Sequence, residues 1–415
     1  MSHLLKTVSA ALFMLFAFPA VHEAPAFSGM FVIGGEREPF GRTRHHVVAN
    51  DEETLVELAV RNGLGYNEIV AANPGINPWY PGSGTRVLVP TSWILPELLA
   101  AESDNVNRAV ENVYTVQIAN YEELEGAQRD FFMLAGALPE AERGLLRLER
   151  AGEKYRLRFG KFRDYAEAKR GISVLDGFDH QPFIVRATVD PERVLASIPQ
   201  TARNDRQAMK GAVILVNLAE LRLYRIAKLV EGLSVTTFPI GIAREGLATP
   251  LGEYRIVEKL ENPSWTVPES ILMESPELPA VVPPGPDNPL GAHALRLSNT
   301  SYLIHGTNRP LGVGRKVSHG CIRMYPEDIK ILHALSKVGD TVRIVSQPVK
   351  VGIKDGNPYI EVHEQDEGPV KTALHALSLL TAVGLASKVD ALLLDEAVAE
   401  RRGIPVPLTR KETGS

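Results

Sequence analysis

A chain of 415 residues is too long for one ordinary hydrophobic core and implies several domains. Its net charge of −5 lacks the basic footprint of a nucleic-acid binder, so no nucleic-acid partner is expected. A charged fraction of 23% and an aromatic fraction of 7% are ordinary for soluble globular domains.

At the N-terminus, Lys6 precedes an uncharged run from Val8 to Ala20, and small residues recur at Ala20, Ala24 and Ala26. This order of basic, apolar and small residues is that of a secretory signal over residues 1–26. The apolar run is short for an uncleaved anchor. No later run of 18 uninterrupted apolar residues follows, so no stable membrane insertion is expected after cleavage. The chain has one cysteine, Cys321, which excludes an internal disulfide. It does not follow the signal, so it is not a lipid-attachment residue. It is either a working thiol or an inert buried one.

Residues 45–95 form the first unit. His46-Val47-Val48 reads as a strand. Asn50 and Asp51 offer capping oxygens to a helix carrying Leu55, Leu58, Ala59 and Asn62, which Gly63 ends. A second helix, Asn67 to Ala72, stops at Asn73-Pro74-Gly75, and Thr85 to Pro90 closes the unit as a strand. The βααβ order, with Asn73-Pro74 and the closing strand, resembles a LysM domain. Asp51-Glu52-Glu53-Thr54-Leu55 departs in part from that family's Gly-Asp-Thr-Leu opening. The resemblance implies binding of N-acetylglucosamine glycans, with Asn73 as a candidate contact; a small structural unit is the plainer alternative.

Residues 111–190 form the second unit. Tyr114 to Ala119 alternates as a strand, and Leu124, Ala127, Phe131, Leu134 and Leu138 recur at helical spacing. Leu145 to Leu148 and Tyr155 to Phe159 read as a hairpin turning near Gly152. A helix from Asp164, its N-cap, to Leu175 precedes a strand from Pro182 to Thr188. The βαββαβ order, with Tyr114-Thr115-Val116-Gln117 and Phe159-Gly160-Lys161-Phe162, resembles a SPOR domain. That implies binding of glycan strands stripped of peptides, with Arg158 and Lys161 as candidate contacts; the simpler reading is solvated charge on a strand. Residues 191–209 are polar and read as a linker.

Residues 210–347 are rich in short strands: Ala212 to Asn217, Leu221 to Ile226, Val235 to Ile240, Tyr254 to Val257, Tyr302 to Ile304 and Thr341 to Val345. This is a largely β domain, so the whole chain is multidomain, α+β and mainly β. Pro268 to Leu290 reads as a long loop over a cleft. In the extension 348–415, Tyr359 to Val362 adds a strand and Ala373 to Ala399 reads as helical, packing by default on the preceding domain.

The chemistry concentrates in His305-Gly306-Thr307-Asn308-Arg309-Pro310, Gly312, Gly314 and Ser318-His319-Gly320-Cys321-Ile322-Arg323. Two histidines stand close to the only cysteine. A thiol nucleophile needs a base and oxyanion donors, and glycines allow a substrate carbonyl to approach the backbone. Pro326 opens a helix to about Leu335, and a cysteine ahead of a helix N-terminus is expected to favour thiolate. The arrangement resembles the YkuD-type L,D-transpeptidases, whose signature is a His followed by Ser/Thr-His-Gly-Cys; Thr249-Pro250-Leu251-Gly252 resembles the same family's Thr-Pro-x-Gly turn.

That resemblance implies a β-sandwich catalytic domain with Cys321 as nucleophile, His305 as base and the Gly306 carbonyl orienting the imidazole. Backbone N–H groups of His319, Gly320 and Cys321 would form the oxyanion hole, with Ser318 and His319 bracing the turn. Where many members carry Asn, this chain has Arg323, suited to grip the diaminopimelate carboxylate. The implied partners are peptidoglycan stem tetrapeptides and glycan strands. The implied reaction is attack on the diaminopimelate–D-Ala bond and acyl transfer to an amine, giving a 3→3 crosslink or anchoring of an envelope lipoprotein. Hydrolysis, as a carboxypeptidase or crosslink-cleaving enzyme, and an inactive glycan-binding scaffold are the rivals. No cofactor and no metal are implied, and His45, His46, His293 and His363 read as structural or exposed. The signal implies export, to the periplasm if the cell has an outer membrane and otherwise to the wall, with a soluble periplasmic protein the favoured expectation.

Overall fold

The computed structural model describes residues 30–35, 37–97, 111–175, 181–189, 194–197, 212–229, 232–364 and 368–410. The signal expected over 1–26 lies outside them, as does most of the stretch expected to link the second and third units. No helix among the described residues is long and apolar enough to cross a membrane.

The third unit is built on one nine-stranded sheet. Its strands stand in the order Met30–Ile33, Leu233–Pro239, Arg222–Lys228, Val213–Asn217, Thr341–Val345, Gly252–Glu261, His293–Leu297, Leu303–His305, Ile322–Arg323. Gly252–Glu261 changes partner along its length. Its first four residues pair with Thr341–Val345, and from Ile256 onward it pairs with His293–Leu297. Both halves and the helix Pro326–Leu335 enclose one core containing Ile214, Phe238, Leu295, Ile304, Met324 and Leu332. Every residue of Val213–Asn217 is buried, which explains its uninterrupted apolar run.

The other face of that strand is covered by the N-terminal unit. Strands Arg44–Val47 and Arg86–Val89 pair, and helices Leu55–Arg61 and Tyr66–Ala72 lie between them in sequence. The first helix is capped by Thr54, not by Asn50 or Asp51. Thr54 Oγ1 accepts from the Glu57 N–H and Glu57 Oε2 accepts from the Thr54 N–H, both at 3.1 Å. Asn50 Oδ1 instead closes the preceding turn on Glu52 and Glu53. Leu55, Leu64, Ile69 and Trp93 share a single core with Leu215, Tyr224, Ile226 and Val235. The first unit and the sheet are therefore one packed body, and the strand Met30–Ile33 joins that sheet directly.

The second unit has the expected alternation of elements. Its sheet runs Val194–Ser197, Leu146–Ala151, Lys154–Phe162, Glu111–Tyr121, Phe183–Val189, with helices Leu124–Ala137 and Tyr165–Ile172 packed around Phe131, Leu134, Leu148, Leu157 and Phe159. Asp164 caps the second helix by accepting from the Glu167 N–H at 2.8 Å. The fifth strand, Val194–Ser197, falls within the stretch read as linker; it pairs with Leu146–Ala151.

The C-terminal extension touches all three units rather than the third alone. It contributes the hairpin Val349–Lys354 with Asn357–Val362, then two helices, Pro369–Ala382 and Ala391–Glu400, separated near Gly384, where φ is +72°. Leu374 enters the second unit's core, Glu361 Oε2 accepts the Ile94 N–H at 2.6 Å, and Lys350 pairs with Glu220 of the third unit. Lys350 also lies 2.7 Å from Glu361, which holds His363 at 2.7 Å, so His363 is a buried structural group.

Candidate active site

Sheet register sets His305 beside the strand that follows Cys321. Leu303–His305 and Ile322–Arg323 are parallel neighbours, with Ile304 opposite Ile322 and His305 opposite Arg323. Cys321 immediately precedes the second strand. His305 is 3% exposed, and its Nδ1 lies 2.6 Å from the Gly306 carbonyl oxygen. A carbonyl only accepts, so Nδ1 carries the proton and Nε2 is left as the basic atom. Burial lowers the His305 pKa to about 4, with Arg323 adding to the effect and the Gly306 and Leu290 carbonyls opposing it. The imidazole is therefore neutral near pH 7.

Burial acts in the opposite sense on Cys321 and raises its pKa; the Leu303 N–H and the Arg323 charge offset this in part. The expected standing thiolate is thus corrected. The two shifts leave both the thiol and the imidazole neutral near pH 7.

The turn before Cys321 is locked by two hydroxyls. Ser318 Oγ donates to the Cys321 carbonyl at 2.6 Å and accepts the Gly320 N–H at 3.1 Å. Thr249 Oγ1 donates to the Gly320 carbonyl at 2.9 Å and accepts the Ala243 N–H at 3.3 Å. The Gly320 N–H points inward to Ser318, so it is not presented as an oxyanion donor as expected. Gly320 has φ +127°, and a Cβ there would overlap the Tyr302 ring, so only glycine fits. Gly314 serves packing, since a Cβ there would meet Gly65 and the Tyr66 nitrogen, whereas a Cβ on Gly312 would stand 3.1 Å from the Val317 side chain and 3.8 Å from Arg323 Nη1.

Sequence reasoning missed the ionic partners of His319. The stretch 268–290 contains a short helix, Glu269–Glu274, with no buried side chain. Glu274 accepts from Arg244 at 2.7 and 2.9 Å, and its Oε2 lies 3.0 Å from His319 Nε2. These partners stand 30 and 45 residues away, beyond any local signal. Arg323 is partly buried, burial lowers its pKa, and its Nε has no hydrogen-bond partner among the described residues.

Two candidate glycan contacts are corrected. Asn73 is 5% exposed, and its side chain is engaged inward: Nδ2 donates to the Ile69 and Leu88 carbonyls at 2.8 Å each, and Oδ1 accepts the Leu88 N–H at 2.6 Å. Arg158 is 5% exposed and donates to Glu149 at 2.7 Å, while Arg147 reaches the same carboxylate at 3.2 Å. Lys161 is exposed. The described residues close enough to share a metal are Glu220, Glu361 and His363, and there the Lys350 ammonium already pairs with both carboxylates.

Residues 211–344 match the YkuD L,D-transpeptidase catalytic domain, and residues 111–186 match the SPOR domain. The chain is 40% identical over 208 residues to the probable L,D-transpeptidase YbiS of Escherichia coli K12, covering 47% of this chain and 67% of YbiS. The chain belongs to the YkuD family of L,D-transpeptidases. Similarity also extends to the probable L,D-transpeptidase ErfK/SrfK of Escherichia coli K12, 38% identical over 51% of this chain and 71% of that protein. The Salmonella typhimurium ErfK/SrfK is 33% identical over 63% of this chain and 84% of its own length. In this YkuD-family chain, the SPOR match coincides with the second unit described above.

Proposed function

We propose that this L,D-transpeptidase acts on peptidoglycan stem tetrapeptides outside the cytoplasm, in the periplasm, with Cys321 as nucleophile and His305 as general base. The observation that carries this is the buried His305, held neutral with Nδ1–H on the Gly306 carbonyl, beside the strand that Cys321 opens.

The thiol proton passes to His305 Nε2 as the sulfur attacks the carbonyl of the L-centre of diaminopimelate. The Cys321 and His319 N–H groups receive the oxyanion, because the Gly320 N–H is held by Ser318. The intermediate collapses, the imidazolium returns its proton to the departing D-Ala amine, and a thioester remains. An acceptor amine then attacks the thioester carbonyl, gives a proton to His305, and displaces the thiolate, which recovers that proton. The product is a 3→3 crosslink when the amine belongs to another stem, or an anchored lipoprotein when it is a lysine. Arg323 has an unpartnered Nε and a charge already felt at both catalytic groups; it binds the diaminopimelate side-chain carboxylate.

The N-terminal unit and the SPOR domain hold glycan. Trp79 is 40% and Tyr80 78% exposed, and Tyr66 lies 6.4 Å from Trp79 ring to ring, a surface suited to stacking on sugars. Lys161 is the remaining SPOR-domain candidate.

The test is mass spectrometry of the protein with disaccharide-tetrapeptide, with Cys321→Ala in parallel. A dimer that has lost one D-Ala, made by the wild type alone, supports transpeptidation. Tripeptide without dimer assigns hydrolysis to this enzyme. No Cys321-dependent product from folded protein leaves the inactive scaffold.

A further inference from the structure

The loop that runs from His305 to Cys321 is gripped from outside the catalytic sheet. At its middle, Gly314 lies backbone to backbone against Gly65 of the N-terminal unit. A Cβ added to Gly65 would stand 2.6 Å from the Gly314 Cα, and Gly314 itself has φ +79°. The two segments are hydrogen-bonded: the Tyr66 N–H donates to the Val313 carbonyl at 3.3 Å and the Asn67 N–H to the Gly314 carbonyl at 3.2 Å. The Tyr325 hydroxyl, just past Arg323, donates to the Leu64 carbonyl at 3.2 Å. The Arg315 guanidinium sits over the Tyr66 ring, 3.6 Å from its centroid.

From the opposite side, the Ile240 carbonyl accepts the Gly314 N–H and the Arg315 carbonyl accepts the Ile242 N–H, both at 3.0 Å. The loop is therefore clamped between Leu64–Asn67 and Ile240–Ile242. The strand Lys316–Ser318 follows at once and delivers the turn that holds Cys321. The N-terminal jaw is itself fixed to the sheet, since Glu68, two residues past Tyr66, binds the fully buried Arg222.

We propose that Leu64–Asn67 is a positioning element of the transpeptidase site. It sets where the nucleophile turn stands relative to His305, in addition to any role of its unit on glycan. The inference rests on Cys321 being the nucleophile. A unit that only tethers the enzyme would matter on whole wall and not on a soluble substrate, and this difference makes the proposal testable.

The experiment uses the full chain, soluble disaccharide-tetrapeptide, and the variants Gly65→Ala, Tyr66→Ala and Tyr66→Phe, each with a thermal melt. A displacement of the turn by a fraction of an ångström to one ångström predicts a kcat loss on the order of 10-fold in the first two, with KM within about two-fold. Tyr66→Phe keeps the ring beneath Arg315 and recovers most of the rate. Unchanged kcat in folded Gly65→Ala and Tyr66→Ala overturns the proposal. So does a loss that only tracks the fraction of folded protein. A wild type with no Cys321-dependent product overturns the reading of the site, and this inference with it.

Discussion

Arg222 and Glu68 are joined by two hydrogen bonds, Nε to Oε1 at 2.7 Å and Nη2 to Oε2 at 2.8 Å, with the guanidinium wholly buried. Arg222 also donates to Thr237 Oγ1 at 3.0 Å and to the Gly63 carbonyl at 2.9 Å, and it lies 4.4 Å from the Trp93 ring centroid. One cation thus fastens the N-terminal unit to the catalytic sheet. Glu68→Ala leaves that cation without its counter-charge and is expected to destabilise the protein by about 3–5 kcal/mol. Urea unfolding of the full chain measures it. A cost under about 1 kcal/mol would show that the carboxylate is dispensable to the junction. The same junction means that deleting residues 45–97 exposes Leu215, Tyr224, Ile226 and Val235, so such a truncation cannot serve as a clean test of glycan binding.

The pH dependence follows from His305. Its pKa is lowered to about 4, chiefly by burial, and as the proposed base it must be unprotonated to accept the thiol proton. The acid limb of kcat/KM is therefore expected near pH 4 rather than near the ordinary histidine value of about 6.5. Activity at pH 5.5 should remain close to its plateau. A limb at pH 6 to 7 that is lost in His305→Gln would mean that the imidazole is solvated in the free enzyme. Folding adds a change of the same sign: between the unfolded and folded pKa values the unfolded chain binds more protons, so stability from this group falls as pH drops from about 6.5 to 4.

Cys321 should be a slow thiol in the absence of substrate. Burial raises its pKa, so iodoacetamide is expected to alkylate the folded protein more slowly than the urea-unfolded chain at pH 7.5. The readout is the mass shift with time, with Cys321→Ala as blank. Complete modification of folded protein at pH 6, ahead of the unfolded chain, would restore the standing thiolate. Such a result would shift the weight from general-base chemistry to a preformed ion pair.

The candidate site is written locally in the sequence. His305 and Cys321 are separated by one loop, and their residue types suit the proposed base and nucleophile. The SPOR-type elements were legible for a similar reason, since each strand and helix carries its own period and Asp164 announces its cap. What escaped was the partner each polar group would find. Asn73 reads as a turn residue before proline, yet its amide bridges to Leu88, 15 residues away. Arg158 alternates to the face opposite the core, where period alone implies solvent, but cross-strand Glu149 and Gln117 engage it there. Glu274 sits in a Pro-rich stretch whose composition says loop, and only the tertiary fold brings it to His319. The fusion of the first unit with the sheet was hidden because Leu55 and Ile69 would look the same in an independent module.

Thr249 offers the sharpest separation of stability from catalysis. Its hydroxyl donates to the Gly320 carbonyl and accepts the Ala243 N–H, joining the start of one segment to the turn before Cys321, 71 residues later. Thr249→Val keeps the shape and removes both bonds, leaving a buried carbonyl and N–H short of a partner. The expected cost is about 1–3 kcal/mol of stability. Because the carbonyl belongs to the residue before Cys321, the turn should also relax, with kcat falling on the order of 10-fold or more. Thr249→Ser retains the hydroxyl and should recover the rate while losing only the packing of one methyl. Melting curves and kcat on soluble disaccharide-tetrapeptide, measured together, separate the two effects. If Thr249→Val is less stable but turns over like the wild type, the turn is held by Ser318 alone, through its bond to the Cys321 carbonyl, and Thr249 is a structural residue only.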